Sequence, residues 1–215
     1  MDLDFEEATR LLKLFEESLP DHVDPSLKEL PTQTRFHVIC LRDVISHRIK
    51  DLTEKVLPLY ESEQRVPAFL VTRAIIESVA LLYQLHRKIV SAIEASDVVE
   101  LNDWLWNAIF GSRNTDTDMT SPNVLTALDR MDKEHPGIRE MYDQLSEFCH
   151  PNYGGVLASY SHLSEDKSIL YLGPDPNSLL PMGSFPFVSS LKIAYHYYKQ
   201  IQVDLDNLKQ VVGEL

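Results

Sequence analysis

The stretch VPAFLVTRAIIESVALLYQL (Val66–Leu85) decides the fold of this chain, and its apolar character continues to Ile93. A helix that is apolar on nearly every face is typical of a buried central helix. Two charged residues lie inside the stretch, Arg73 and Glu77, and their four-residue spacing places them side by side on one helix face. Because a lone buried charge is costly, the sequence predicts a central helix whose two charges are paired.

Segments with helical periodicity lie on both sides of this central stretch. Apolar residues at three- and four-residue spacing predict a long helix from about Thr32 to Tyr60 and a closing helix from about Val188 to Val212. Shorter helices are predicted over residues 4–19, 97–110, 124–131 and 137–149. Three or four long helices with shorter partners are typical of a helical bundle. We therefore predict a single all-α domain over residues 1–215, with an N-terminal helix and linker in residues 1–30.

One part of the chain has β character. Val156–Tyr160 and Ile169–Leu172 are rich in β-branched and aromatic residues, and they flank the polar segment SHLSEDKS. Short runs of this kind around a polar turn predict a small β-hairpin, placed in residues 156–172 before the last helix.

The charge balance is strongly acidic. The chain has 33 acidic and 20 basic residues, a net charge of −13, which opposes nonspecific binding to nucleic-acid phosphates. The segment Arg35–Lys50 is a local exception, because it holds four basic residues against Asp43 alone. A nucleic-acid role would depend on a patch of this kind, and a solvated helix face is the alternative.

Several classes of protein are disfavoured by composition. Two cysteines, Cys40 and Cys149, are too few for a disulfide framework or a thiolate zinc site, and no metal-ligand spacing is present. The N-terminus has no signal-peptide pattern, and the charges inside the longest apolar run disfavour a membrane span. We therefore expect a cytoplasmic protein with no metal, no cofactor and no membrane contact.

Two groups of residues are candidates for a site. Arg73 and Glu77 either form a structural ion pair that fixes helix register, or bind an anion through the arginine while the glutamate orients it. The second group is in LSEFCHPNYGG (Leu145–Gly155), where His150 falls at the end of a predicted helix. The helix dipole favours a histidine there, and a general acid–base role beside Asn152 is the functional alternative.

These residues also carry a resemblance to a known group. RAIIE (Arg73–Glu77), followed by LSEFCHPN (Leu145–Asn152) and by Gly173-Pro174, resembles the DUF5677-like all-helical families of bacteria. Those families are related in outline to the HEPN domains, and the resemblance covers residues from about Thr32 to the C-terminus. The resemblance implies a homodimer of stress or phage-defence type with an RNA or nucleotide ligand. HEPN ribonucleases cleave RNA without a metal, so no metal site is implied.

HEPN ribonucleases carry an Arg-x4–6-His motif, usually completed by dimerisation. RDVISH (Arg42–His47) and RMDKEH (Arg130–His135) both have this spacing, whereas Arg73, Glu77 and His150 do not form the motif. In a regular helix the side chains of Arg42 and His47 diverge by about 140°.

If the protein is an enzyme, the resemblance implies cleavage of a phosphodiester bond in RNA. Arg73 would stabilise the phosphorane, His150 would act as acid and base, and Glu77 would orient Arg73. Predicted binding residues around them are Asn152, Tyr153 and His162. The alternatives are a noncatalytic anion- or nucleotide-binding or regulatory module, and a structural interaction protein. The acidic net charge favours these alternatives.

Overall fold

A computed structural model describes residues 5–24, 33–112, 118–174 and 184–211 of the protein. The all-α prediction is confirmed, and the predicted linker within residues 1–30 lies mostly outside the described ranges. The helices are α1 (Phe5–Ser18), α2 (Gln33–Glu61), α3 (Arg65–Ala95), α4 (Val99–Phe110), α5 (Val124–Met131), α6 (Ile138–Cys149), the single turn α7 (Ala158–Tyr160) and α8 (Phe185–Val211).

The apolar stretch forms α3, which has the predicted central position. This helix packs most extensively against α2 and α8, and it also contacts α4, α5 and α6. Fully buried side chains occur all along it, among them Phe69, Ile75, Ile76, Leu82, Leu85 and Ile89. Because neighbouring helices cover α3 on several sides, it needs no continuous polar face.

Among the described residues, α3 is the one helix long and apolar enough to cross a membrane. Of its most apolar window, 56% is buried inside the protein. The core helix of a soluble protein meets the same criteria, so this finding carries no argument for a membrane.

The first helix closes one side of the bundle, where it packs across α2 and α8. The buried Phe15 ring meets the rings of Tyr195 and Tyr198 edge-on, at 5.4 and 6.0 Å between centroids. The Tyr198 hydroxyl donates to the carbonyl of Ser18 at 2.7 Å, which satisfies an orphan carbonyl at the end of α1.

A two-stranded antiparallel hairpin precedes the last helix, as predicted, but its first strand begins later than expected. The strands are β1 (Ser161–Leu163) and β2 (Leu170–Leu172). The predicted strand Val156–Tyr160 is wrong, because residues 153–157 form a π-helical turn that continues into α7.

Side-chain bonds and a close approach favour this turn over a strand. The Asn152 side chain accepts from the Gly155 backbone N–H at 2.9 Å, and the Ser159 hydroxyl donates to the Gly154 carbonyl at 2.6 Å. A Cβ at Gly155 would collide with the carbonyls of His150 and Phe148, so only glycine fits against the end of α6.

Candidate functional site

The central pair on α3 has the predicted contact. Arg73 Nη2 lies 3.2 Å from Glu77 Oε1, one helical turn further along. The side chains are 32% and 35% exposed, so the pair is half-buried instead of enclosed in the core. The neighbouring helices leave this face of α3 open at a surface cavity.

Tyr142 of α6 joins the two charges. Its hydroxyl accepts from Arg73 Nη2 at 2.8 Å and donates to Glu77 Oε1 at 2.9 Å. The guanidinium carbon also lies 5.1 Å from the centre of the tyrosine ring, within the range of a cation–π contact. Tyr142 is itself buried, so it holds the arginine in one orientation against a rigid helix.

The contacts among Arg73, Glu77 and Tyr142, here called the triad, shift the pKa values of the arginine and the tyrosine. Burial lowers the pKa of Arg73, but the Tyr142 hydroxyl and the Glu77 charge outweigh it and leave this pKa above its ordinary value. Burial raises the pKa of Tyr142, Arg73 opposes the rise and Glu77 adds to it. At neutral pH Arg73 is therefore a permanent cation, and the phenol that bridges it to Glu77 is neutral.

The triad lines one side of a cavity of about 660 Å³, here called the first cavity. Apolar walls come from α3, α4 and the start of α5, with Leu81, Ala108, Pro122, Val124 and Leu125. Ser121 and Asn123, from the segment before α5, add polar groups to the lining. A few fixed polar groups among apolar walls are typical of sites for small molecules.

The rim of the first cavity is held by the end of α4. A Cβ at Gly111 would lie 2.6 Å from the backbone nitrogen of Ser121, so the segment before α5 can approach only a glycine. Asn107 Oδ1 accepts from the backbone of Thr120 at 3.1 Å. Asn123 caps α5 by accepting from two backbone N–H groups, at 2.9 and 3.3 Å.

The predicted third catalytic residue, His150, is not at this cavity. It is exposed beyond the end of α6, and its imidazole makes no hydrogen bond or ion pair with a described residue. The preceding residue, Cys149, lies on the face toward Arg73, where burial raises the pKa of its thiol and Arg73 opposes the rise. Successive helical positions point about 100° apart, which directs the next side chain elsewhere.

The other predicted binding residues also lie away from the triad. Asn152 bonds Glu147 and caps the π-helical turn, a local structural role. Tyr153 is exposed, and His162 stacks on Tyr171 of the hairpin at 5.1 Å between ring centres. The structure therefore brings together two of the six predicted residues, Arg73 and Glu77.

The structure separates the residues of RDVISH. Arg42 is buried beside Asp43 at 2.7 Å and lies over the Tyr198 ring at 4.9 Å. His47 is exposed and makes a 2.9 Å contact with the Pro20 carbonyl oxygen. Because Arg42 is buried and Lys50 is paired with Glu54, the segment Arg35–Lys50 is no basic surface patch.

The residues of RMDKEH lie around the end of α5, where Arg130 and His135 have different neighbours. His135 Nε2 is 2.7 Å from the Tyr197 hydroxyl of α8, and burial lowers the pKa of this histidine. Arg130 is exposed and lines a different cavity, between α3 and the end of α5. Among the described residues no cluster of histidine, cysteine and carboxylate side chains is arranged to hold a metal ion.

Tyr142 is the site residue that sequence reasoning missed. Its position with Ile138 and Leu145, at four- and three-residue spacing, would have placed a hydroxyl on the apolar face of α6. Comparisons of the chain with protein-family models, with curated proteins and with solved structures find no match. The resemblance to DUF5677-like and HEPN families therefore stays a prediction.

Proposed function

We propose that the protein is a noncatalytic binding module that holds a small organic anion in the first cavity. One observation carries the proposal: Glu77 and Tyr142 orient the Arg73 guanidinium through Nη2, while about a third of the side chain remains accessible. Nε of Arg73 is buried, so the donors left for a ligand are those of the terminal Nη groups, whose orientation is fixed and suits a carboxylate or a phosphate.

The surroundings of Arg73 limit the ligand further. The start of α5 also lines the cavity, and the N-terminal end of a helix favours negative charge. Glu77 disfavours a second acidic group nearby and offers an acceptor to a hydroxyl or amine. The best fit is a ligand with one acidic group, one hydrogen-bond donor and an apolar body that packs on Leu81, Ala108 and Leu125.

Binding is better supported than catalysis at this site. A general acid or base must lie within hydrogen-bond reach of the reacting group, and the exposed His150 is outside the first cavity. RNA cleavage, a stress or defence role, a homodimer and a cytoplasmic location stay predictions from the resemblance and the composition.

Thermal unfolding with a panel of small monoanions, at constant ionic strength, tests the proposal. The panel contains aliphatic and aromatic carboxylates, hydroxy acids and phosphate monoesters. A ligand at a hundred times its Kd stabilises the folded state by about 2.7 kcal/mol, which raises Tm by about 5–10 °C for a chain of this size. Arg73→Gln should abolish that ligand-induced rise.

Arg139→Gln is the matched control. Arg139 has a similar exposure, 30%, and pairs with Asp129 and Asp143 away from the first cavity. This variant should keep the full ligand-induced rise in Tm. A wild-type protein that responds to no member of the panel, or an Arg73→Gln variant that responds equally, would overturn the proposal.

A further inference from the structure

A second cavity of about 330 Å³ lies between α3 and the end of α5, and its walls are basic. Arg87 and Lys88 line it from α3, and Arg130 and Lys133 line it from the end of α5 and the following turn. Glu134 is the one carboxylate among the described residues that line it. Four cations around one carboxylate form a positive centre on a chain whose net charge is −13.

The cations of the second cavity are weakly compensated by the protein. Among the described residues, neither Arg130 nor Lys133 has an ion-pair partner. Lys88 reaches only the exposed Glu100, at 3.5 Å, and Arg87 lies 3.8 Å from Glu134. Four like charges share the walls of one cavity, and their mutual repulsion opposes the folded state.

The carboxylate of Glu134 is occupied by protein groups. Its two oxygens accept from the hydroxyls of Tyr83 at 3.0 Å and Tyr197 at 3.3 Å. Its charge is thus directed toward two phenols and Arg87. The opposing negative charge in the cavity is therefore already paired, and the remaining cations face solvent.

An unsatisfied amide lies on the same wall. Gln84 lines the second cavity, and its buried Oε1 has no hydrogen-bond partner among the described residues. Turning the carboxamide would exchange this oxygen for an N–H donor at the same buried position, so Gln84 leaves an unsatisfied polar group in this wall.

We propose that the second cavity binds the phosphate groups of a small polyphosphate, either inorganic or esterified. Arginines and lysines from two helices surround it, and the guanidiniums supply forked donors while the ammoniums act as point charges. The dipole of α5 accounts for one cation at its C-terminal end, but not for four from two helices. A volume near the lower end of ligand pockets suits a short phosphate chain.

This site is independent of the first cavity. In the first cavity Glu77 compensates the single arginine, which disfavours a polyanion. In the second cavity two cations lack any carboxylate partner among the described residues, which favours a polyanion. The second proposal therefore stands whether or not the first cavity binds a monoanion.

Isothermal titration of the full chain with inorganic tripolyphosphate, at low and physiological salt, tests the inference. We expect saturable 1:1 binding that weakens with salt. Arg130→Gln/Lys133→Gln should weaken binding by about a hundredfold, roughly tenfold for each charge-assisted contact removed. Titration with ATP separates the two sources, because equal affinity means that the phosphate chain alone is recognised and higher affinity means that the nucleoside contributes.

Two control variants keep the test specific. Lys13→Gln/Lys55→Gln removes the same number of charges from exposed positions and should change the affinity less than twofold. Arg73→Gln alters the first cavity alone and should leave tripolyphosphate binding intact. No saturable binding, an equal loss in the lysine control, or a loss in Arg73→Gln would each overturn the inference. A short oligoribonucleotide that binds more tightly than tripolyphosphate, with the same sensitivity to Arg130→Gln/Lys133→Gln, would overturn the small-ligand assignment.

Discussion

The two cavities lie along α3 at opposite ends of α5, and their charges are arranged in opposite ways. In the first cavity, beside the start of α5, Arg73 is compensated within 3.2 Å by Glu77 and bridged by Tyr142. In the second, beside the end of α5, Arg130 and Lys133 have no carboxylate partner among the described residues.

The difference separates two uses of a cation. A compensated arginine is held in one orientation and contributes to stability, and a ligand must fit between groups that already bond each other. Uncompensated cations add repulsion to the folded state, and a bound anion relieves it. Removal of a charge should therefore have opposite effects on stability at the two cavities.

The largest expected effect breaks the first cavity and leaves the second intact. Gly111→Ala places a Cβ against the backbone of Ser121, which should displace the rim and cost about 3 kcal/mol, the upper range for overpacking. Chemical denaturation measures the loss, and tripolyphosphate binding should survive in the folded fraction.

Gly154→Ala is the control for that variant, since its Cβ would have ordinary contacts, the nearest being Glu147 Cγ at 3.4 Å. Equal stability of the two variants would mean that the rim before α5 adapts to the added methyl group.

The next effect concerns the compensated pair. Glu77→Ala leaves the Arg73 guanidinium half-buried without its carboxylate, which should cost about 1–2 kcal/mol. Replacing both charges, Arg73→Met with Glu77→Leu, should cost less than about 1 kcal/mol, because no unpaired charge remains. Urea denaturation of the three proteins checks the order. A double variant less stable than Glu77→Ala would show that the charges contribute beyond their pairing.

A smaller effect depends on pH and arises from two histidines, His86 and His135. Burial lowers the pKa of His86, against the opposing charge of Asp204, and it also lowers the pKa of His135. His86 Nε2 is 3.2 Å from Asp204, while its buried Nδ1 has no partner among the described residues that could accept a hydrogen bond from an added proton. In the unfolded chain both histidines take up a proton near their ordinary pKa of about 6.5.

The direction in which stability changes with pH follows from this difference in proton uptake. The stabilisation by neutral His86 and His135 is present above about pH 6.5 and is lost as the pH falls below it, because the unfolded state binds protons first. Tm should therefore fall between pH 7.5 and 5.5. The double variant His86→Gln/His135→Gln should show a flatter profile, and an unchanged slope would assign the dependence to other groups.

The smallest expected effect is a gain in stability, whereas Gly111→Ala and Glu77→Ala lose stability. It gives the sharpest test of the difference between the two cavities. Lys133→Gln removes one of the four cations around the second cavity, so it should stabilise the free protein by about 0.2–0.5 kcal/mol, within the usual range for a surface substitution. Denaturation at low salt measures this gain, which should shrink as salt screens the repulsion. A loss of stability at any salt would mean that Lys133 is compensated.

Local patterns in the sequence predicted most of the fold. The helices begin and end within a few residues of the predicted bounds, because three- and four-residue spacing of apolar side chains is a local property. The strand predicted at Val156–Tyr160 failed, because Asn152 and Gly155 stabilise a helical turn there through a cap and a close approach.

By itself the sequence determined the central helix and the contact between Arg73 and Glu77, since residues four apart on a helix are always neighbours. Only the tertiary structure decided what surrounds that pair: it brought in Tyr142 and left His150 outside. It also dispersed the basic segment Arg35–Lys50 and built a basic cavity from residues more than 40 positions apart. Charge clusters depend on which helices pack together, and spacing along one helix does not specify that packing.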